Sequence, residues 1–128
     1  MRRWTESDSS QNGRHAVVAM GADTVVCVKC VVADSPLGRL KGLLGRNNLP
    51  VGEGILLRPA SAVHTFFMRF PIDVVFLDRD FRVLSMRTRL RPWRAAACRG
   101  ARAVLELHAG ECDRLGAMVG DRLRLEHD

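Results

Sequence analysis

Between residues 15 and 32 the chain consists of two apolar, β-branched runs, 15–20 and 24–32, with only Gly21-Ala22-Asp23 between them. Three such residues suit a tight turn and leave no room for a crossover helix, so the opening predicts an antiparallel hairpin. The same grammar recurs. Residues 54–58, 72–77, 101–107 and 122–126 are further short apolar runs bounded by Gly, Pro or Asp. The run 72–77 is almost continuously apolar and follows Phe70-Pro71, which favours extended backbone, so it predicts a strand covered on both faces. From Leu84 to Arg91 the residues alternate. Leu84, Met86, Thr88 and Leu90 would share one face, with Ser85, Arg87, Arg89 and Arg91 on the other. Residues 92–100 read as a loop.

Helical signals are few. Ser35 and Pro36 suit a helix start, and Leu37, Leu40 and Leu44 fall on one face before Gly45, which predicts a short helix over 36–44. Residues 111–115 predict one or two turns stopped by Gly116. About seven strands at short spacing, without strand–helix alternation, predict a mainly β chain: a small antiparallel barrel or sandwich with one or two short helices. At 128 residues this is one domain, with residues 1–14 read as a polar tail and 15–128 as the globular part. No apolar run approaches the ~20 residues of a spanning helix. The tail has no apolar core of a secretory leader, so a cytoplasmic, monomeric protein without a membrane partner is expected.

Four blocks of residues carry a likeness. Arg39-Leu40-Lys41-Gly42-Leu43-Leu44-Gly45-Arg46, then His64 through Asp78 (HTFFMRFPIDVVFLD), then Ala103-Val104-Leu105-Glu106-Leu107-His108-Ala109-Gly110, then Val119-Gly120-Asp121 resemble, in order and spacing, the domain of unknown function 192 family. The resemblance covers about residues 24 to 126. It implies a small β-rich domain, no known cofactor and no agreed activity. Phe67 stands where many relatives show Trp, and the insertion many of them carry before the Ile-Asp pair is shorter here.

The residues themselves nominate two surfaces. Asp73 lies inside an apolar run, and a buried carboxylate needs compensation. His64, Arg69 and Glu106 are its natural partners. In extended geometry His64 shares a face with Phe66, Met68 and Phe70, and Glu106 with Val104 and His108. A pocket of His64, Met68, Asp73, Glu106 and Arg46 would be polar with apolar walls, as small-molecule sites are. The same Asp could instead cap a turn by accepting backbone N–H bonds. An acid–base enzyme using Asp73 or Glu106 is a third reading, although no nucleophile, phosphate-loop or zinc-protease motif supports catalysis.

The second surface is basic. Of the 20 basic residues 18 are arginines, and six of them (Arg87, Arg89, Arg91, Arg94, Arg99, Arg102) fall between Met86 and Arg102 with no acid, a charge equal to the whole chain's +6. Arg87, Arg89, Arg91 and Arg94 could meet phosphates while Trp93 stacks on a base. A strand edge guarded by charge is the plainer reading. Partners are therefore an unidentified small molecule or protein, with nucleic acid as the alternative. Cys27 and Cys30 match a C-x-x-C spacing, but residues three apart on a strand point to opposite faces, so neither a metal nor a redox pair is expected.

Overall fold

A computed structural model describes residues 13–34 and 48–127. The predicted helix over 36–44 and the candidate Arg46 lie outside the described residues. The chain forms β1 (Gly13–Met20), β2 (Thr24–Ala33), β3 (Glu53–Leu57), β4 (Ala62–His64), β5 (Ile72–Leu77), β6 (Val83–Leu90), β7 (Ala95–Ala97), β8 (Ala103–His108), α1 (Glu111–Leu115) and β9 (Leu123–His127). Seven strands make one sheet in the order β6-β5-β8-β3-β2-β1-β9, and β4 pairs with β7 as a separate ribbon. The mainly β expectation therefore holds, with one qualification. β2 and β3 are parallel, from Lys29 opposite Glu53 to Ala33 opposite Leu57, whereas every other strand pair is antiparallel.

The sheet curls until its edges meet. Arg82 bridges Arg122, and Val83 N–H donates to the Asp121 carbonyl at 2.7 Å. Side chains alternating across the strands therefore fill two separate volumes. Inside the curl lie Val32, Leu56, Val75, Leu77, Leu105 and Leu107, with Val83 and Leu123 arriving from the two edges and Cys112 from α1. On the outer face lie Ile55, Leu57, Ile72, Val74, Phe76 and Val104, roofed by Val63, Ala96, Met68 and Leu49. β5 and β8 are interior strands, the second and third from the β6 edge, and are buried on both faces, as the unbroken apolar run of β5 predicts. Full burial of a side chain such as Phe76 stabilises by about 1.5–3 kcal/mol, and each face contributes several.

Three expectations need correction. First, β6 does not keep its alternation. Ile72 faces Leu90 but Val74 faces Arg87, and Phe76 faces Ser85 but Leu77 faces Val83, so two β-bulges each insert a residue. Leu84 and Leu90 consequently reach the outer cluster, whereas Met86 reaches the inner one. Second, Cys27 and Cys30 do not diverge. A bulge in β2 places Val18 opposite Cys27 and Ala16 opposite Cys30, and the consecutive N–H groups of Val28 and Lys29 both donate to the Gly52 carbonyl. Both thiols enter the inner cluster. Cys27 beside it, together with burial, pushes the Cys30 thiol well above its ordinary range. Third, residues 92–100 contain the strand β7, which three alanines do not announce.

Candidate functional site

Asp73 is fully buried, and a main-chain N–H meets each of its carboxylate oxygens, with the Cys112 thiol beside them. Oδ1 accepts the Arg89 N–H at 2.9 Å, and Oδ2 accepts the Cys112 N–H at 2.8 Å. The first donor belongs to the bulge of β6, where Arg89 takes a φ of 51°. The second is one of the orphan donors at the start of α1, whose N-cap Gly110 has no side chain to offer. One carboxylate thus ties an edge strand and a helix to β5 through two charge-assisted bonds. Arg89 adds a surface ion pair to Asp113 at 3.1 Å. Of the two readings of Asp73, side-chain partners or backbone N–H donors, the second is the one seen: His64, Arg69 and Glu106 are not its partners, and backbone amides hold it.

Asp73 faces Leu107, on the inner side of the sheet, while Glu106 faces Val74 and Ile55, on the outer side. The sheet itself separates the two carboxylates. Glu106 is 5% exposed, and no hydrogen bond to its carboxyl is found among the described residues. Burial pushes its pKa up to about 7. On the same strand face His108 Nδ1 lies 2.8 Å from the Leu49 carbonyl oxygen, which holds the segment before β3 against the sheet. Met68 is buried in the outer cluster. His64 ends β4 on the exposed side, where its Nδ1 accepts the Phe66 N–H at 3.3 Å. Of the expected pocket, then, Met68 and Glu106 share the outer face, His64 looks to solvent, and Asp73 is on the far side of the sheet.

The structure assembles something else around His64. After β4 the chain turns at Thr65–Arg69 instead of staying extended, with Phe67 at a φ of 68°. Opposite, Trp93 takes a φ of 64°. Left-handed backbone in such large residues costs about 1–3 kcal/mol each and persists only where surrounding contacts impose it. Here Thr65 imposes it. Its fully buried hydroxyl donates to the Arg91 carbonyl at 2.6 Å and accepts the Arg94 N–H at 2.9 Å. Its N–H donates to the Arg94 carbonyl, and its own carbonyl accepts the N–H groups of Trp93 and Met68.

The result is a fixed aromatic surface. Phe66 stacks on Trp93 with ring centroids 5.7 Å apart, Phe67 meets the same indole at 4.6 Å, and His64 lies 4.8 Å from Phe66. These rings are not core. Phe67 is 68% exposed and Trp93 55%. Arg91 and Arg94 are exposed on the same loop, and Arg94 donates to the Trp93 carbonyl at 3.3 Å. The basic row expected on β6 is therefore divided. Arg87 and Arg89 stay on the edge strand, the latter engaged with Asp113, while Arg91 and Arg94 lie beyond it on the loop that carries Trp93. Thr65 is invisible to sequence reasoning, since a single Thr between His and Phe carries no pattern. Composition does not mark Phe66 and Phe67 as exposed, because it cannot show the left-handed turn at Phe67.

Against this geometry the relatives take their place. Residues 17–125 match the family model DUF192, described as "Uncharacterized ACR". The chain belongs to the DUF192 family. A UPF0127 protein of Thermococcus sibiricus is 34% identical over 100 residues, which are 74% of this chain and 64% of that protein, so the match spans less than two thirds of its length. A UPF0127 protein of Pyrococcus furiosus is 37% identical over 95 residues, 71% of this chain and 81% of the relative. A crystal structure of a protein of unknown function from Novosphingobium aromaticivorans superposes with a TM-score of 0.75 at 26% identity, covering 85% of this chain and 83% of the other. DUF192 is a family of unknown function, and the fold is what these relatives share with the chain. Among the described residues no helix is long and apolar enough to cross a membrane.

Proposed function

We propose that this DUF192 chain is a non-catalytic binding module whose working surface is the aromatic–arginine platform, and that its partner is single-stranded nucleic acid. The observation that carries the reading is the exposed Phe66–Trp93–Phe67 ring cluster, held in left-handed backbone by a buried threonine, with Arg91 and Arg94 beside it. Water-exposed aromatic faces that cost strain to maintain serve recognition better than stability. Bases stack on such faces with little sequence preference, each worth about 1–3 kcal/mol, and arginines follow the backbone phosphates. The segment from Met86 to Arg102, with six arginines and no acid, supplies the matching charge. A pocket formed by His64 and Asp73 receives no such support, because both Asp73 oxygens are taken by main-chain amides.

Anisotropy of a labelled oligothymidylate tests this. Binding is expected at low salt and should weaken steeply on raising salt from about 50 to 200 mM. Phe67→Ala combined with Trp93→Ala should cost at least about tenfold in affinity through lost stacking. Arg91→Ala with Arg94→Ala should reduce the salt dependence, by up to about 0.7 in log–log slope for each phosphate left without its arginine. Absence of binding at low salt, or binding indifferent to the aromatic pair, refutes the reading.

A further inference from the structure

A second feature lies at the opposite end of β5 from the platform. Where β2, β3 and β5 end and β8 begins, the surface opens into a cleft of about 440 Å³, within the range of small-molecule sites. Three arginines line it from separate segments: Arg58 after β3, Arg79 in the β5–β6 turn, and Arg102 before β8. Two carboxylates also line it, and the fold already uses both. Asp34 is paired with Arg58, Oδ1 to Nε at 2.7 Å. Asp78 turns Oδ1 onto the N–H groups of Asp80 and Arg82, closing the β5–β6 turn. These bonds, the Arg82 one foremost, hold its carboxyl below the usual range. For Arg79 and Arg102, in contrast, no side-chain hydrogen bond or ion pair is found among the described residues.

The cleft also has an apolar wall. Phe81 and Pro59 line it, and Phe81 is presented from a left-handed backbone with φ of 64°. Phe81 is anchored on both sides, its N–H donating to the Asp78 carbonyl and its carbonyl accepting the Leu123 N–H. The same main chain that closes the curled sheet therefore fixes this ring at the rim of the cleft.

We infer that the cleft binds a small oxyanion joined to a flat apolar group, with Arg79 and Arg102 taking the carboxylate or phosphate oxygens and Phe81 covering the flat group. Guanidinium groups suit either oxyanion, since both present oxygens that accept fork-like N–H pairs. The assignment is independent of the aromatic platform, which shares no residue with it.

Titration of the full chain with phenyl phosphate and, in parallel, benzoate, followed by amide chemical shifts, tests it. Saturable shifts are expected at Phe81, Arg102 and Ala103, and the tighter of the two probes names the oxyanion. Inorganic phosphate should bind at least about tenfold more weakly than phenyl phosphate, because it offers nothing to the ring. Arg79→Ala with Arg102→Ala removes only exposed side chains and should lower affinity by at least about tenfold through lost charged hydrogen bonds. Shifts confined to Phe67 and Trp93 would place the ligand on the platform and overturn the assignment. So would inorganic phosphate binding as tightly as phenyl phosphate, affinity unchanged in the double variant, or no saturable shift up to about 10 mM, the weak end of specific small-molecule binding.

Discussion

Two acidic side chains, Asp73 and Glu106, show how burial alone does not decide what a carboxylate does. Asp73 accepts two backbone bonds and is a fastener. In Asp73→Asn one side-chain oxygen remains, and the new NH₂ faces an N–H donor. The variant should lose about 2–3 kcal/mol in urea unfolding, the cost of leaving a buried donor unmet. Glu106 has no such bonds among the described residues, and its raised pKa makes a stability statement. Its protonated form contributes fully below the ordinary glutamate value of 4.5, and that contribution is lost as pH rises through about 7. Glu106→Gln cannot ionise, so relative to the native chain it should gain on the order of 3 kcal/mol between about pH 4.5 and pH 8. Parallel urea titrations at the two pH values measure this, and a difference that stays constant with pH contradicts it. That Asp73 would be enclosed was legible from the apolar residues around it. That backbone amides could hold it was legible too, but not which ones, because backbone donors exist at every position and only a bulge and a helix start bring those of Arg89 and Cys112 into reach.

At the scale of elements, the chain's punctuation was readable where it is chemical and unreadable where it is geometric. Gly116 ends α1 with a φ of 69°, as a glycine placed there predicts, and β5 is buried along its whole length. The bulges in β2 and β6 left no compositional mark, so strict alternation misassigned Met86 and the Cys27–Cys30 pair. The β4–β7 ribbon is the sharpest case. Its strands are three residues each, and β7 is all alanine, so neither length nor propensity signals it. What defines it is the Thr65 hydroxyl spanning to Arg91 and Arg94. Thr65→Val keeps the volume and removes the hydroxyl. The Arg91 carbonyl and Arg94 N–H then lose a partner, which should cost about 1–3 kcal/mol and weaken oligothymidylate binding with no ring removed. A variant that is destabilised but binds normally would show that Thr65 supports the fold and not the platform.

For the whole molecule, the interior strands β5 and β8 are the most enclosed and the ribbon is peripheral. Amide exchange should be slowest in β5 and β8, flanked by strands on both sides and buried on both faces, and faster in β4 and β7, which pair only with each other. Uniform protection across all nine strands would contradict this. The architecture also leaves β6 as an edge for most of its length, guarded there by Arg87, Arg89 and a bulge, devices that discourage pairing with another chain. Because the β4–β7 ribbon joins the main sheet by packing and short linkers, and not by a shared ladder, its outward residues answer to few constraints from the scaffold. Descendants of one ancestor could therefore rewrite what they recognise, ring by ring and charge by charge, while inheriting the curled sheet unaltered.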